Sequence, residues 1–352
     1  MSLSRSSLDS IPLSFASVSV GTPDDPLEDK LKAISSAGFT AIELGFPDLL
    51  SFSKTFHKKE IKEDDYPNLC KAGTEVKTLC KKHNLSIMML QPFSNFEGWA
   101  PDSKEREDAF SRARGWIEIM HAVGTDMLQV GSSDSPTIST DLNILASDLR
   151  DLADLLAPHG YKLAYENWCW ATAAPTWSSV YEIVKLVDRP NIGLCLDTFQ
   201  TVGSEYADPT TASGLISTEG IQAQLERNWE HSLARLTKMV PKEKIYLLQI
   251  SDAYKPKTPI EDKLTQPQPL NDLRPRGRWS HDYRPYPYNG GAYTQQCLDF
   301  ARAVLKTGSR CWFSVEVFDG GADGKGKEYE MGDFCKGAMA SVKRLLNECA
   351  DS

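Results

Sequence analysis

The chain has 352 residues, 41% of them hydrophobic and 25% charged, and a formal charge of −9. These fractions are ordinary for a soluble globular protein, and the acidic balance argues against a nucleic-acid surface. No apolar run approaches the roughly 20 residues of a membrane span, so neither nucleic acid nor membrane is an expected partner.

The opening stretch, Met1 to Pro12, is Ser-rich and lacks the apolar core of a signal peptide. Residues 1–11 are expected as a disordered tail and residues 12–348 as a single domain. From there one rhythm recurs: a short β-rich run, an amphipathic helical stretch, another β-rich run. The first run covers 13–20, and a helix over 26–37 stops at Gly38. Run two is 41–46. A helix over 68–82 leads to run three, 86–91. The next helix, 104–123, sets Phe110, Trp116, Ile117 and Met120 on roughly one face and ends at Gly124. Run four is 126–130. The clearest helix, 141–156, carries an apolar stripe of Leu142, Leu145, Leu149, Leu152 and Leu156, with Thr140 as N-cap and Gly160 as stop. Run five is 162–166, then a helix over 178–187 and run six, 192–196. Ile221, Leu225, Trp229, Leu233, Leu236 and Val240 mark another helix before run seven, 244–250. A long Pro- and Arg-rich loop, 252–291, follows. A helix over 293–305, run eight at 311–317 and a helix over 333–346 complete the series.

Eight β-runs alternating with helices predict a closed parallel barrel, the (β/α)8 architecture, whose long loops lie at the C-terminal rim. A doubly wound open sheet would place a Gly-rich phosphate turn after its first strand. Here that position reads Val20-Gly21-Thr22-Pro23.

The later strands end in polar groups: Glu166 after run five, Asp197 after run six, Gln249 in run seven, Glu316 in run eight. A buried charge is costly unless it is paired or bound to a cation. A lone acid at a strand end is more often a helix N-cap or an ion-pair partner, and Gln249 alone reads as a satisfied rim amide. Four such groups on consecutive strands of a barrel converge at one rim. Three converging carboxylates repel one another, and a divalent cation resolves the repulsion. An all-oxygen donor set favours Mg²⁺ or Mn²⁺ over Zn²⁺ or Cu²⁺. The eight cysteines form no CxxC pair, and Cys195 and Cys311 sit in apolar runs. They read as reduced, mostly buried thiols of a cytoplasmic protein, not as zinc ligands. The six histidines, His57, His83, His121, His159, His231 and His281, form no HExxH or HxH pair.

This strand-end quartet resembles the xylose-isomerase-like barrel superfamily. Within it, Tyr165-Glu166-Asn167-Trp168-Cys169-Trp170 and the segment from Gly193 to Gln200 look like fungal 3-dehydroshikimate dehydratases. So do Gln91-Pro92-Phe93, Phe96-Glu97-Gly98, Leu248 to Asp252 and Arg276 to Pro285. The resemblance runs from about Pro12 to Leu346. It implies a catalytic barrel, a lyase of quinate and shikimate metabolism that dehydrates a cyclic hydroxy-keto acid to protocatechuate with Glu166, Asp197, Gln249 and Glu316 on the metal. Metal-assisted enolisation followed by loss of the β-hydroxyl needs an acid–base group and cations for the substrate carboxylate.

His281, the one histidine in a rim-loop context, is the first acid–base candidate, with a solvated loop histidine as the alternative; Glu97 is the second. Arg276, Arg278 and Arg284 surround His281 and are candidates for the carboxylate or for ion pairs, as is Lys255 more weakly. Glu43 and Gln91 are expected to line the pocket, Glu43 equally as an internal ion-pair partner. Two positions depart from relatives. Gln200 stands where bacterial relatives often carry His, and the segment 171–174, which includes Ala173, has no ionisable group where related dehydratases often place one. Glutamine and alanine are no general bases, so the base stays open. The alternative functions are a metal-dependent keto-sugar isomerase or epimerase, and a non-catalytic relative. The expected partner is a small anionic substrate, and a homo-oligomer is compatible with this reading.

Overall fold

A computed structural model of the chain describes residues 3–217, 222–262 and 273–350. Eight parallel strands close into a barrel: β1 (Leu13–Ala16), β2 (Ala41–Gly45), β3 (Ser86–Phe93), β4 (Met127–Gly131), β5 (Lys162–Glu166), β6 (Ile192–Asp197), β7 (Ile245–Ile250) and β8 (Trp312–Val315), which pairs back to β1. This is the (β/α)8 barrel that the alternation predicts.

Side chains on a strand alternate between faces. A small inner core of Ala41, Met88, Met89, Met127, Ala164, Cys195 and Leu247 fills the barrel. The much larger outer core packs the strands against the helices. In β3 the pairing register shifts so that Met88 is an extra residue between Ile87, opposite Ile42, and Met89, opposite Glu43. Such a bulge re-aims the strand beyond it, and it brings the Gln91 side chain to Glu43 and Glu316.

The helices are α1 (Arg5–Leu8), α2 (Leu27–Ser36), α3 (Phe46–His57), α4 (Tyr66–Lys82), α5 (Lys104–Val123), α6 (Leu142–Leu156), α7 (Trp177–Val187), α8 (Thr198–Glu205), α9 (Gln222–Met239), α10 (Pro275–Asp282), α11 (Thr294–Lys306) and α12 (Met331–Cys349). Their starts have local causes. Ser103 accepts from the Arg106 N–H, Thr176 and Ser179 form a capping box, and Glu330 accepts from the Asp333 N–H. Asp141, not Thr140, caps α6. Gly124 ends α5 at φ 78°, the left-handed conformation that glycine adopts without strain.

Three expectations are corrected. The segment read as a disordered tail contains α1, with Leu3, Leu8 and Ile11 buried, because these three apolar residues find a place in the outer core. Helices α3 and α8, each starting directly at a strand end, were not anticipated. The loop read as irregular over 252–291 contains α10 and a two-residue ribbon in which Tyr283–Arg284 pairs antiparallel with Phe318–Asp319. The rest of that loop over 263–272, like Ile221, Met1, Ser2, Asp351 and Ser352, lies outside the described residues. No described helix is long and apolar enough to cross a membrane.

Candidate metal centre

Strands β2 to β8 each turn one polar side chain toward the C-terminal mouth of the barrel: Glu43, Gln91, Gln129, Glu166, Asp197, Gln249 and, just past β8, Glu316. All seven are buried. Glu166, Asp197 and Glu316 each present an oxygen within 4.8 Å of the others. Asp197 and Gln249 are partners in the β6–β7 register, which sets the carboxamide beside the cluster.

Hydrogen bonds join the ring. Gln91 Nε2 donates to Glu316 Oε1 at 2.9 Å and to Glu43 Oε2 at 3.3 Å. Gln249 Nε2 donates to Glu43 Oε2 at 2.9 Å, and Gln249 Oε1 accepts from the Cys195 thiol at 3.3 Å. Gln129 Nε2 donates to Glu166 Oε2, and the Trp168 indole N–H donates to the same oxygen at 3.2 Å. Asp197 Oδ1 accepts the Gln200 N–H at the start of α8, so the N-cap role and the cluster role coexist in one carboxylate.

Among the described residues one cation, Arg284, pairs with the cluster. The Arg284 guanidinium is fully buried, ion-paired to Asp197 and, at 2.9 Å, to Glu316. Its Nε donates to Ser251 Oγ at 2.8 Å, and its Cζ lies 5.0 Å from the Phe199 ring centroid. The ribbon fixes it by pairing Arg284 with Phe318. A single positive charge does not balance four carboxylates. Burial, then the charges of Glu316 and Asp197, push Glu166 well above the usual carboxylate range. Burial pushes Asp197 up to about 6 against the pull of Arg284, and burial with the Glu316 charge pushes Glu43 up to about 8. Arg284 itself is raised: burial opposes the shift, and Asp197, Glu316 and Glu166 overcome it.

These residues fit a divalent ion. The donors are oxygens on three strands, the cluster carries excess negative charge, and Glu166 Oε1 is buried with no hydrogen-bond partner. An unsatisfied buried carboxylate oxygen is costly, and a cation satisfies it. Glu43 Oε1 is orphaned in the same way.

Several sequence expectations land elsewhere. His281 is exposed; its Nδ1 meets Asp282 Oδ1 at 2.8 Å, and its ring lies parallel to Phe318 at 6.3 Å. The reason is α10. Trp279 takes the buried side and donates to the Tyr254 carbonyl, and two residues further, about 200° around a helix, His281 faces outward. It lines a cleft of about 600 Å³ between the loops after β1 and β8, with Ser19, Phe318, Lys327 and Tyr329. Glu97 accepts from the Tyr165 hydroxyl at 2.8 Å and the Ser133 N–H at 2.8 Å. Tyr165 precedes Glu166 and so points to the opposite face of β5, into the outer core. Glu97 follows it there, away from the ring. Arg276 donates to the Gly203 carbonyl and pairs with Asp208, and Arg278 donates to the Glu261 carbonyl. Both guanidinium groups are engaged by the protein itself, Arg276 by an α8 carbonyl and Asp208 and Arg278 by a loop carbonyl, as half-buried and buried cations require. Lys255 is exposed, with its stem against Gly214. Gln200 Oε1 accepts the Cys169 N–H and so ties the β5 loop to α8, and Ala173 packs against the outer core.

Gln129 and Trp168 were missed. Gln129 was detectable as a polar residue two positions from Met127 on the inward face of an apolar strand. Trp168 stood in the aromatic segment Tyr165 to Trp170 that carried the resemblance, but nothing in that segment gave its side chain a role.

Residues 31–333 match a family model described as xylose isomerase-like TIM barrel. The chain is 30% identical over 347 residues to a 3-dehydroshikimate dehydratase of Neurospora crassa, covering 94% of this chain and 92% of that one. It is 29% identical to a 3-dehydroshikimate dehydratase of Pseudomonas aeruginosa over 84% of this chain, and spans 36% of that protein. Among solved structures, a xylose isomerase-like TIM barrel/4-hydroxyphenylpyruvate dioxygenase fusion protein superposes with a TM-score of 0.69 at 24% identity, over 95% of this chain and 42% of that one.

Proposed function

The chain belongs to the xylose isomerase-like TIM barrel family, and we propose that within it the chain is a divalent-cation-dependent hydro-lyase that dehydrates 3-dehydroshikimate, or a closely related cyclic hydroxy-keto acid, to protocatechuate. The observation that carries this reading is the buried Glu166–Asp197–Glu316 cluster with its orphaned Glu166 oxygen. The near full-length similarity to the fungal dehydratase supports the choice of substrate.

Glu166, Asp197 and Glu316 hold the ion, Mg²⁺ or Mn²⁺ by the hardness of their oxygens. Gln249, beside Asp197 in register, is the neutral fourth donor. Bound there, a divalent cation polarises a ketone oxygen and stabilises the negative charge that enolisation puts on it. The chain must then take the proton α to the ketone and return a proton to the departing β-hydroxyl, so that one water leaves; a keto–enol proton shift from the remaining ring methylene then makes the ring aromatic. We assign that exchange to Glu43. It lies in the ring, its Oε1 has no partner, and Gln91 and Gln249 hold its other oxygen. Arg284 lowers the charge an anionic substrate meets at the cluster.

The test is product analysis on protein reconstituted with Mg²⁺ or Mn²⁺. A new aromatic ultraviolet absorbance from 3-dehydroshikimate is the expected result. Epimerised or isomerised keto-sugars with no such absorbance would replace the dehydratase with a sugar isomerase on the same ring.

A further inference from the structure

We infer that Trp168 is a positioning residue for Glu166, its indole N–H joining the Gln129 amide on one carboxylate oxygen so that the other meets a cation alone. This rests on the reading of Glu166 as a cation ligand. Both donors converge on Oε2, and Oε1 is buried without a partner. The two oxygens of one carboxylate are thus assigned different tasks.

The indole is held for this purpose by a set of contacts that start at Gly131. That residue ends β4 and is the register partner of Glu166. A Cβ placed on it would sit 2.1 Å from Cε2 of the Trp168 ring. Its φ is not among the positive values, so glycine is required here for space, not for backbone conformation. The Trp168 N–H donates to Ser132 Oγ at 2.9 Å. The ring stacks on Trp170, centroids 5.0 Å apart and planes 23° apart, and the Trp170 N–H donates to Asp134 at 3.1 Å. An indole held on both its backbone and its ring keeps one donor direction.

A carboxylate with one oxygen already taken by two donors binds a cation through a single oxygen. Small ions that demand near-ideal octahedral geometry accept this, whereas Ca²⁺ readily takes bidentate carboxylates. Trp168 therefore sets ion choice as well as affinity. Groups that orient a ligand typically cost about 10–100-fold in metal affinity when removed.

The experiment titrates Mn²⁺ and Ca²⁺ into wild type, Trp168→Phe and Gly131→Ala by calorimetry, with circular dichroism as the check on folding. Trp168→Phe keeps the ring and deletes the donor; Gly131→Ala keeps every donor and pushes the indole aside. Both are expected to lose about 10–100-fold in Mn²⁺ affinity and to lower the ratio of Mn²⁺ to Ca²⁺ affinity. A merely structural role would leave that ratio unmoved. Wild-type affinity and ratio in Trp168→Phe overturn the inference, and should that variant not fold, the same result in Gly131→Ala overturns it. Wild type that binds neither ion overturns the assignment of Glu166 as a ligand, and with it this role for Trp168.

Discussion

Glu166 is under opposing demands: burial and its neighbours' charges raise its pKa, while binding a cation requires the ionised form. An acid whose folded pKa is raised favours folding below its unfolded pKa, and that contribution is lost as pH rises through the folded value. Glu166→Gln is therefore expected to raise the melting temperature of metal-free protein at pH 8 and to abolish the further rise that Mn²⁺ gives wild type. Melting curves with and without chelator check both halves. Asp197→Ala and Glu316→Ala should cost more Mn²⁺ affinity than the roughly 10–100-fold typical of outer groups, by calorimetry. His281→Ala carries the opposite expectation. The imidazole is exposed and bonded to Asp282, so steady-state kcat should stay within a factor of about two, the rate equivalent of the ±0.5 kcal/mol common for surface substitutions. Position at the ends of apolar strand runs made Glu166, Asp197 and Glu316 legible in the sequence. It did not make His281 legible, because whether a residue in a Pro- and Arg-rich segment faces in or out depends on a helix that this composition does not announce. Arg284 was legible as a cation for a carboxylate, with ion pairs as one alternative; which of the chain's own acids it would meet was not.

At the scale of elements, the rim loops are tied down by buried acids outside the ring. Asp252, just after β7, accepts from the Ala253 and Tyr293 N–H groups and from the Thr294 hydroxyl, which pins the loop to the start of α11. Burial, the largest effect, pushes its carboxyl up to about 6. From an unfolded value of about 3.9, that shift corresponds to about 3 kcal/mol lost as pH rises from 4 through 6. Asp252→Asn keeps an acceptor oxygen without the charge. Its melting temperature relative to wild type should climb between pH 4 and 7; a difference flat across that range would contradict the assignment. Tyr165→Phe should cost about 1–3 kcal/mol in denaturant unfolding, the penalty for leaving Glu97 short of a donor, with kcat unchanged because both groups face the outer core. Helices α3 and α8 escaped the sequence reading because each begins immediately at a strand end, at Phe46 and Thr198, where β and helical patterns overlap. The helix of five regularly spaced leucines was plain for the opposite reason: its apolar stripe runs uninterrupted from Leu142 to Leu156, well separated from the strands before and after it.

For the whole molecule, the repeated strand–helix rhythm was enough to predict the closed barrel, since eight such units have few other ways to bury both strand faces. The N-terminal segment was misread because three well-separated apolar residues, Leu3, Leu8 and Ile11, carry no periodic signal until a groove exists to receive them. The barrel delivers seven buried polar side chains to one mouth, and the proposed function assigns a cation-assisted elimination to them. The direct measurement is ultraviolet absorbance during incubation of 3-dehydroshikimate with metal-stripped wild type, before and after Mn²⁺ or Mg²⁺ is added, beside Glu166→Gln. Aromatic absorbance that rises in wild type only after the ion is added, is stopped by chelator and stays flat in the variant is the predicted result. A rate indifferent to chelator, or no aromatic product from wild type with the ion bound, would contradict the account.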